Sequence, residues 1–501
     1  MPSSRLRLCS MLLPLWLAGC ASVVPRAPVG LPPAVAGALQ CARLPDSALG
    51  VQVAALDTPV GGPVLAHQAE RSMQPGSTMK LVTSVVALDR LGPNHRGHTE
   101  LLTAAPQQGE VLRGDLVLRG GADPELELPQ LWQMFQELRW QGVREIDGDI
   151  VLDRRLFRPE RPDLGLPPFD ESPEFPYNVV PDALNLAGSL VGLELRAEAT
   201  GVQARLLPPL PGVLIESRLT LNDRPCRDWD DDWTTPQAET GPDGRVTLVL
   251  KGAFPRACTQ RVALQLFDRD QQAERQLRWL WQDLGGVWHG RVRSGATPPE
   301  ARRIARHDAR PWGELMRPLN KRSDNVYARL LYLSLGLADA AANPELTSQA
   351  LADRVVRDWF MRQGISTDGL VMDNGSGLSR AERISPGQMV GVLRAGLTGP
   401  NAADLLMSLP TVGVDGTMRN RLKDSVAAGR ARLKSGTLRN VTAVAGTVTD
   451  VRGRVWLVAA MLNDEAAGRA RRVLDVLVDW VARTGLDAAG WREPPAPCPP
   501  A

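Results

Sequence analysis

The chain brackets one texture with another. Residues 47–70 carry two short strand patterns, VQVAALD and GPVLAHQAE, around Pro59-Val60-Gly61-Gly62. This reads as a hairpin. An apolar helical run, 81–91, follows. At the far end, periodic helices (312–319, 323–337, 347–363, 385–397) lead into three strand patterns, 431–435, 441–449 and 455–462, and a last amphipathic helix, 468–484. Between these pieces, from His95 to about Ser294, short β-rich runs (111–119, 145–153, 213–221, 245–250, 261–267) recur with dense Pro and Gly. Some 200 residues is far more than a loop holds. The outer pieces are therefore expected to fold together as one helix-flanked sheet, with the middle inserted. Inside the insertion, 128–141 and 272–284 read as helices, and each runs through a Gly-Val step into a strand. They look like two copies of one unit, a small paired α/β subdomain.

Residues 74–82, QPGSTMKLV, place Ser77 and Lys80 at i and i+3 just before the first apolar helix. That spacing puts hydroxyl and amine on one helix face. The first turn offers free N–H groups and the positive end of the helix dipole. A serine beside a basic amine there suits acyl transfer. Two fixed letters are a weak signal, but lysine usage strengthens it. Of 58 basic residues only five are lysine, namely Lys80, Lys251, Lys321, Lys423 and Lys434. Arginine cannot release its proton, whereas a buried lysine can act as a base. Lys251 and Lys423 read as surface residues.

The N-terminus reads as a targeting segment. Arg5 and Arg7 precede an apolar stretch, 11–17, too short to span a bilayer. It ends in Leu17-Ala18-Gly19-Cys20, which resembles the lipobox of bacterial lipoproteins, where the sulfur of the cysteine carries the lipid. Ser22 resembles the forwarding signal for the outer membrane. Residues 1–19 are thus expected to be a signal peptide and 20–37 a Pro/Ala/Gly tether. The protein would be periplasmic, touching membrane only through Cys20. Export permits disulfides. Four further cysteines allow three pairings, of which Cys226–Cys258 and Cys41–Cys498 are favoured. No spacing suits zinc, and His95 and His98 read as loop residues. The acidic run 226–233 lacks a calcium loop's glycine turn and distal glutamate and reads as solvated charge. A net charge of +2 without a basic stripe gives nucleic-acid binding no support.

Two more short motifs lie beyond the insertion. Ser323-Asp324-Asn325 opens the helix SDNVYARLLYL, and Lys434-Ser435-Gly436-Thr437 closes a strand. Each alone is an N-cap or a strand end. Ser-x-x-Lys, Ser-Asp-Asn and Lys-Thr/Ser-Gly in that order form the set of penicillin-binding proteins and class A β-lactamases. Ser323 lies 246 positions after Ser77, and Lys434 lies 111 after Ser323. The words LRGGADPE (118–125), DGDIVLDRRLF (147–157), NGSGLS (374–379) and GVDGTM (413–418) add to the match. The chain resembles class C penicillin-binding proteins, the D-alanyl-D-alanine carboxypeptidase/endopeptidases of peptidase family S13. The resemblance covers about 38–484. It implies an α+β fold. A transpeptidase-like domain (38–94 and 295–490) would have an antiparallel sheet flanked by helices. A β-rich insertion (95–294) would form one or two subdomains, and 491–501 would be a proline-rich tail. Ser435 departs from the commoner threonine but keeps the hydroxyl. A lipid anchor is less typical of the family.

The resemblance also assigns roles. Ser77 would attack the carbonyl between the two terminal D-alanines of a peptidoglycan stem peptide, and Lys80 would take its proton. Ser323 would relay a proton to the leaving amine. Asn325 would orient Lys80 and hold the substrate amide. Backbone N–H groups of Ser77 and Thr437 would form an oxyanion hole, worth about 3–4 kcal/mol per donor. Lys434, Ser435 and Thr437 would hold the terminal carboxylate. β-Lactams would acylate Ser77 and inhibit. No cofactor or metal is implied. A β-lactamase would use the same motifs, but no family-like Glu-x-x-Leu-Asn loop is found. A catalytically silent wall-binding lipoprotein of this fold is the other alternative. A Gly-x-Ser-x-Gly hydrolase is disfavoured because that elbow is missing.

Overall fold

The computed structural model describes residues 30–57 and 64–486. The signal peptide, Cys20, the Pro59–Gly62 turn, Cys498 and the tail fall outside them, and so does the Cys41–Cys498 pairing.

Chain ends meet in one antiparallel sheet. Its order is Ala431–Leu438, Val441–Thr449, Val455–Asn463, Leu49–Ala55, Val64–His67. The strands 441–449 and 455–463 are apolar on both faces, and both faces are covered. Ala443, Ala445, Leu457, Ala459 and Met461 face the helices Lys80–Arg90 and Pro386–Thr398. Val444, Val448, Val458, Ala460 and Leu462 face the helix Arg471–Thr484. Apolar burial on this scale is the main favourable term in such a fold.

The tether reading fails from Pro33 onward. Pro33–Ala42 is a helix, and its Val35 and Leu39 are fully buried against the sheet's outer core. Proline at the first helical position is pre-set for helix. The two apolar residues four apart share one face.

Two main cores fill the insertion. In the first, the two predicted units lie side by side in parallel. Val287 and Trp288 pair with Glu145 and Ile146, and Val292, Arg293 and Ser294 pair with Ile150, Val151 and Leu152. The helices Leu128–Trp140 and Arg269–Asp283 pack on these strands through Phe135, Leu138, Leu277 and Trp281. Runs read as single strands are broken. Val111–Leu112 and Leu116–Gly121 are separate, as are Glu145–Ile146 and Ile150–Asp153. The breaks stack on one another: a Cβ on Gly148 would lie 2.3 Å from Gly114, and one on Gly290 2.0 Å from the Gly148 carbonyl. The second core gathers Val191–Glu198, Gly201–Leu207, Val213–Ser217, Trp233–Thr240, Val246–Pro255 and Thr259–Leu264. A disulfide joins Cys226 to Cys258 there. In the acidic run, Asp231 and Asp232 pair with Arg224.

The insertion also runs past residue 294. Arg302–Asp308, placed by sequence in the outer domain, is the edge strand of an inserted sheet, antiparallel to His98–Thr103.

Candidate active site

Ser77 sits in a tight 3-10 turn, Gly76–Met79, that feeds the helix Lys80–Arg90. Neighbouring backbone holds this turn from both sides. Asn463, at the end of a sheet strand, accepts from the Gln74 N–H at 2.8 Å and donates to the Gln74 carbonyl at 3.0 Å. Close approach requires glycine at three places. Gly76 has φ +51°, and a Cβ there would lie 3.2 Å from the Thr437 nitrogen. A Cβ on Gly436 would lie 2.5 Å from the Pro75 carbonyl and 3.0 Å from the Ser77 nitrogen. A Cβ on Gly377 (φ +78°) would lie 1.9 Å from the Gly76 carbonyl. Side chains at these points would push the turn, strand and loop apart. Their absence brings the backbone nitrogens of Ser77 and Thr437 to the same contact.

Lys80 is fully buried. Its Nζ donates to Ser77 Oγ (3.0 Å), Asn325 Oδ1 (2.6 Å) and the Ser376 carbonyl (2.6 Å). Burial pulls its pKa down to about 7, against the opposing pull of Glu382 and Asp324, while Arg329 lowers it further. Lys434 is also fully buried, and its Nζ donates to Ser323 Oγ and the Ser435 carbonyl, both at 2.8 Å. Its pKa lies well below the ordinary value, first through burial and then through the Lys80 charge.

Ser323 stands between two helices, Trp312–Lys321 and Asn325–Ser334, with φ +63°. The helix cap is Asp324, whose carboxylate accepts from the Tyr327 N–H. Asp324 thus caps the helix, while Ser323 is turned out in a left-handed conformation costly for a serine. Asn325 follows at the first helical position. Its Nδ2 donates to the Tyr177 carbonyl at 2.9 Å, so holding a substrate amide would require that bond to be exchanged. The Ser435 hydroxyl donates to Thr417 Oγ1 (2.7 Å), on the GVDGTM word, and Thr437 is exposed beside it. Ser77, Lys80, Ser323, Asn325, Lys434, Ser435 and Thr437 therefore share one cleft, although they come from three distant parts of the chain.

Sequence reading singled out the NGSGLS word but not what shapes it. Ser376 lends its carbonyl to Lys80. Thr83 donates to the Gly375 carbonyl. Glu382 is fully buried and accepts from four backbone N–H groups of the loop, those of Asp373, Asn374, Gly375 and Gly377. A lone carboxylate three residues beyond that word gives no signal of its own in the sequence. Among the described residues, no group of three or more His, Cys, Asp or Glu is arranged to hold a metal ion.

Paired hydroxyls and buried amines around a turn at the start of a helix define a serine acyl-transfer site. The chain matches the D-Ala-D-Ala carboxypeptidase 3 (S13) family over residues 32–484 and belongs to that family. It is 28% identical over 436 residues (83% of this chain, 78% of the relative) to a D-alanyl-D-alanine carboxypeptidase of Actinomadura sp. strain R39. It is 26% identical over 407 residues (79% and 81%) to the D-alanyl-D-alanine carboxypeptidase DacB of Haemophilus influenzae. The fold is similar to that of the crystal structure of penicillin-binding protein 4 from H. influenzae. The TM-score is 0.74 at 24% identity, covering 90% of this chain and 99% of that one.

Proposed function

We propose that this chain is a serine-type D-Ala-D-Ala carboxypeptidase that acts on peptidoglycan stem peptides through an acyl-enzyme on Ser77. One observation carries the reading: a fully buried lysine amine with pKa near 7 lies 3.0 Å from the Ser77 hydroxyl. A neutral Lys80 takes the Ser77 proton as Oγ attacks the carbonyl between the terminal D-alanines. The oxyanion that forms is met by the N–H groups of Ser77 and Thr437. Ser323, bonded to Lys434, relays that proton from Lys80 to the departing D-alanine nitrogen, so that Lys80 is again neutral and Ser323 keeps its own hydrogen. Lys434 and the Ser435 and Thr437 hydroxyls receive the terminal carboxylate, and water then releases the acyl group. The two curated relatives, both named D-alanyl-D-alanine carboxypeptidases, support this substrate class.

β-Lactams acylate the same serine in this reading. A structure of the H. influenzae protein complexed with a β-lactam, similar in fold at a TM-score of 0.70, supports it. Labelling with a fluorescent penicillin tests it: wild type takes the label, and Ser77→Ala takes none. Equal label on both, or none on wild type, ends the proposal. Cross-link cleavage is the same acyl transfer with a side-chain amine as leaving group. Muropeptide dimers converted to monomers, read by mass, would establish it, and untouched dimers would refute it.

The proposed place of action is the periplasm, with Cys20 lipidated and anchored to the outer membrane. Arg5, Arg7 and the Leu17–Cys20 word support this. Incorporation of labelled palmitate that Cys20→Ala abolishes is the expected result.

A further inference from the structure

The buried carboxylate behind the cleft has no part in the steps above, yet its contacts converge on the base. Glu382 Oε1 accepts from the N–H groups of Asp373 (3.3 Å), Asn374 (3.1 Å) and Gly375 (2.7 Å), and Oε2 from that of Gly377 (2.7 Å). Every one of these partners is a donor, so the arrangement suits an ionised carboxylate rather than a carboxylic acid. Inside that N–H cradle lies Ser376, whose carbonyl receives the Lys80 amine at 2.6 Å. The loop can take this curve because Gly375 and Gly377 have φ of +69° and +78°. Gly377 then packs on the Gly76 carbonyl, at the turn that carries Ser77.

From this arrangement we infer that Glu382 is a positioning residue for acyl transfer: by gathering the loop amides it fixes the Ser376 carbonyl on the Lys80 amine and sets a counter-charge behind it. This rests on the acyl-transfer reading of Ser77. The charged and titratable groups around the pair come from every packed element. Asp324 and Arg329 belong to the Ser-Asp-Asn turn and its helix, Lys434 to the strand, and Asp373 to the loop itself; Tyr332 lies on the same helix as Arg329. Burial raises the Glu382 pKa, and the Asp373 charge adds to that rise, while the amides of Gly375, Asp373 and Gly377 oppose it. Glu382 also heads the charges that favour the ammonium form of Lys80. Removing its charge therefore makes Lys80 easier to deprotonate, while loosening its grip on Ser77.

The test is the pH profile of fluorescent-penicillin acylation of the full chain in wild type, Glu382→Gln and Glu382→Asp. Glu382→Gln keeps the size but loses the charge and turns an amide NH2 toward the loop donors. Its acid limb should move to lower pH by about one unit, with the plateau rate down by about tenfold or more. Glu382→Asp keeps the charge on a shorter stem. It should hold the acid limb near its wild-type position and lose plateau rate only. A wild-type protein that does not label would end the acyl-transfer reading itself. A labelled wild type whose acid limb stays in place in Glu382→Gln would overturn this inference alone, whatever the loss of rate or stability. Should Glu382→Gln fail to fold, the Glu382→Asp profile decides: an acid limb displaced from wild type counts against the inference.

Discussion

An amine that must act as a base at neutral pH meets two opposed demands. It has to be buried enough to shed its proton, and it has to be hydrogen-bonded enough to stay in place. At Lys80 three acceptors supply the second demand and complete burial the first. The sign of the pH dependence follows. The base works deprotonated, so acylation of Ser77 should climb as pH rises through about 7 and level off above it. Lys80→Arg places in the same pocket a cation that does not release its proton. That variant should acylate slower than the wild-type plateau by a factor of about 10²–10⁴, the usual span of general-base catalysis, and should show no rise through pH 7. The rate of fluorescent-penicillin labelling against pH checks both statements, and a Lys80→Arg profile matching wild type would refute them. Residue type carried much of this into the sequence, because the chain spends so few lysines. Glu382 was not legible, since it binds backbone amides and those leave no side-chain signature in the string of letters.

At the scale of elements, the site is a meeting of three backbones rather than of three helices. The nucleophile turn, the strand Ala431–Leu438 and the loop 373–378 touch where glycines stand, and no adjustment of side chains can replace that contact. Gly377→Ala tests the point most severely. The new Cβ would meet the Gly76 carbonyl at 1.9 Å and would require a positive φ that alanine resists. We expect labelling of Ser77 to fall by about 10²-fold, because displacements near 1 Å cost that much in a positioned reaction. Near-normal labelling would mean that the loop can shift without harm. The same scale explains which elements could be read from the sequence. The strands Val441–Thr449 and Val455–Asn463 are buried on both faces and announce themselves as apolar runs. Arg302–Asp308, RRIARHD, buries only Ile304 and Ala305 and turns its charges outward from a sheet edge, so it carries no alternation to find. In Trp233–Thr240 a proline sits at an irregularity of register, which hides a strand whose outer residues are mostly polar.

Across the whole molecule, the insertion supplies part of the cleft's wall. The segment after Asp153 contributes the Tyr177 carbonyl to Asn325 and the Val179 carbonyl to Arg329, a buried guanidinium whose pKa burial lowers to about 10. Nothing in the motif spacing foretold this, because both contacts use main-chain oxygens of residues with no distinguishing letter. What holds the segment is a charge network away from the cleft. Asp182, fully buried, lies between Arg154 (2.9 Å) and Arg269 (2.7 Å), Arg154 also reaches Asp270 (2.7 Å), and Arg269 donates to the Val180 carbonyl at 2.6 Å. Breaking a buried pair leaves an uncompensated charge, typically at a cost of about 3–5 kcal/mol. Asp182→Asn should therefore loosen 177–182, and the effect should reach Asn325 and through it Lys80. Hydrogen exchange would then speed up in that segment first, since local opening precedes global unfolding. The labelling rate of Ser77 should drop while the wild-type pH dependence of Lys80 is kept, because no charge beside Lys80 has changed. Faster exchange without slower labelling would make the insertion a bystander to the chemistry; both changes together would make it a working wall of the site.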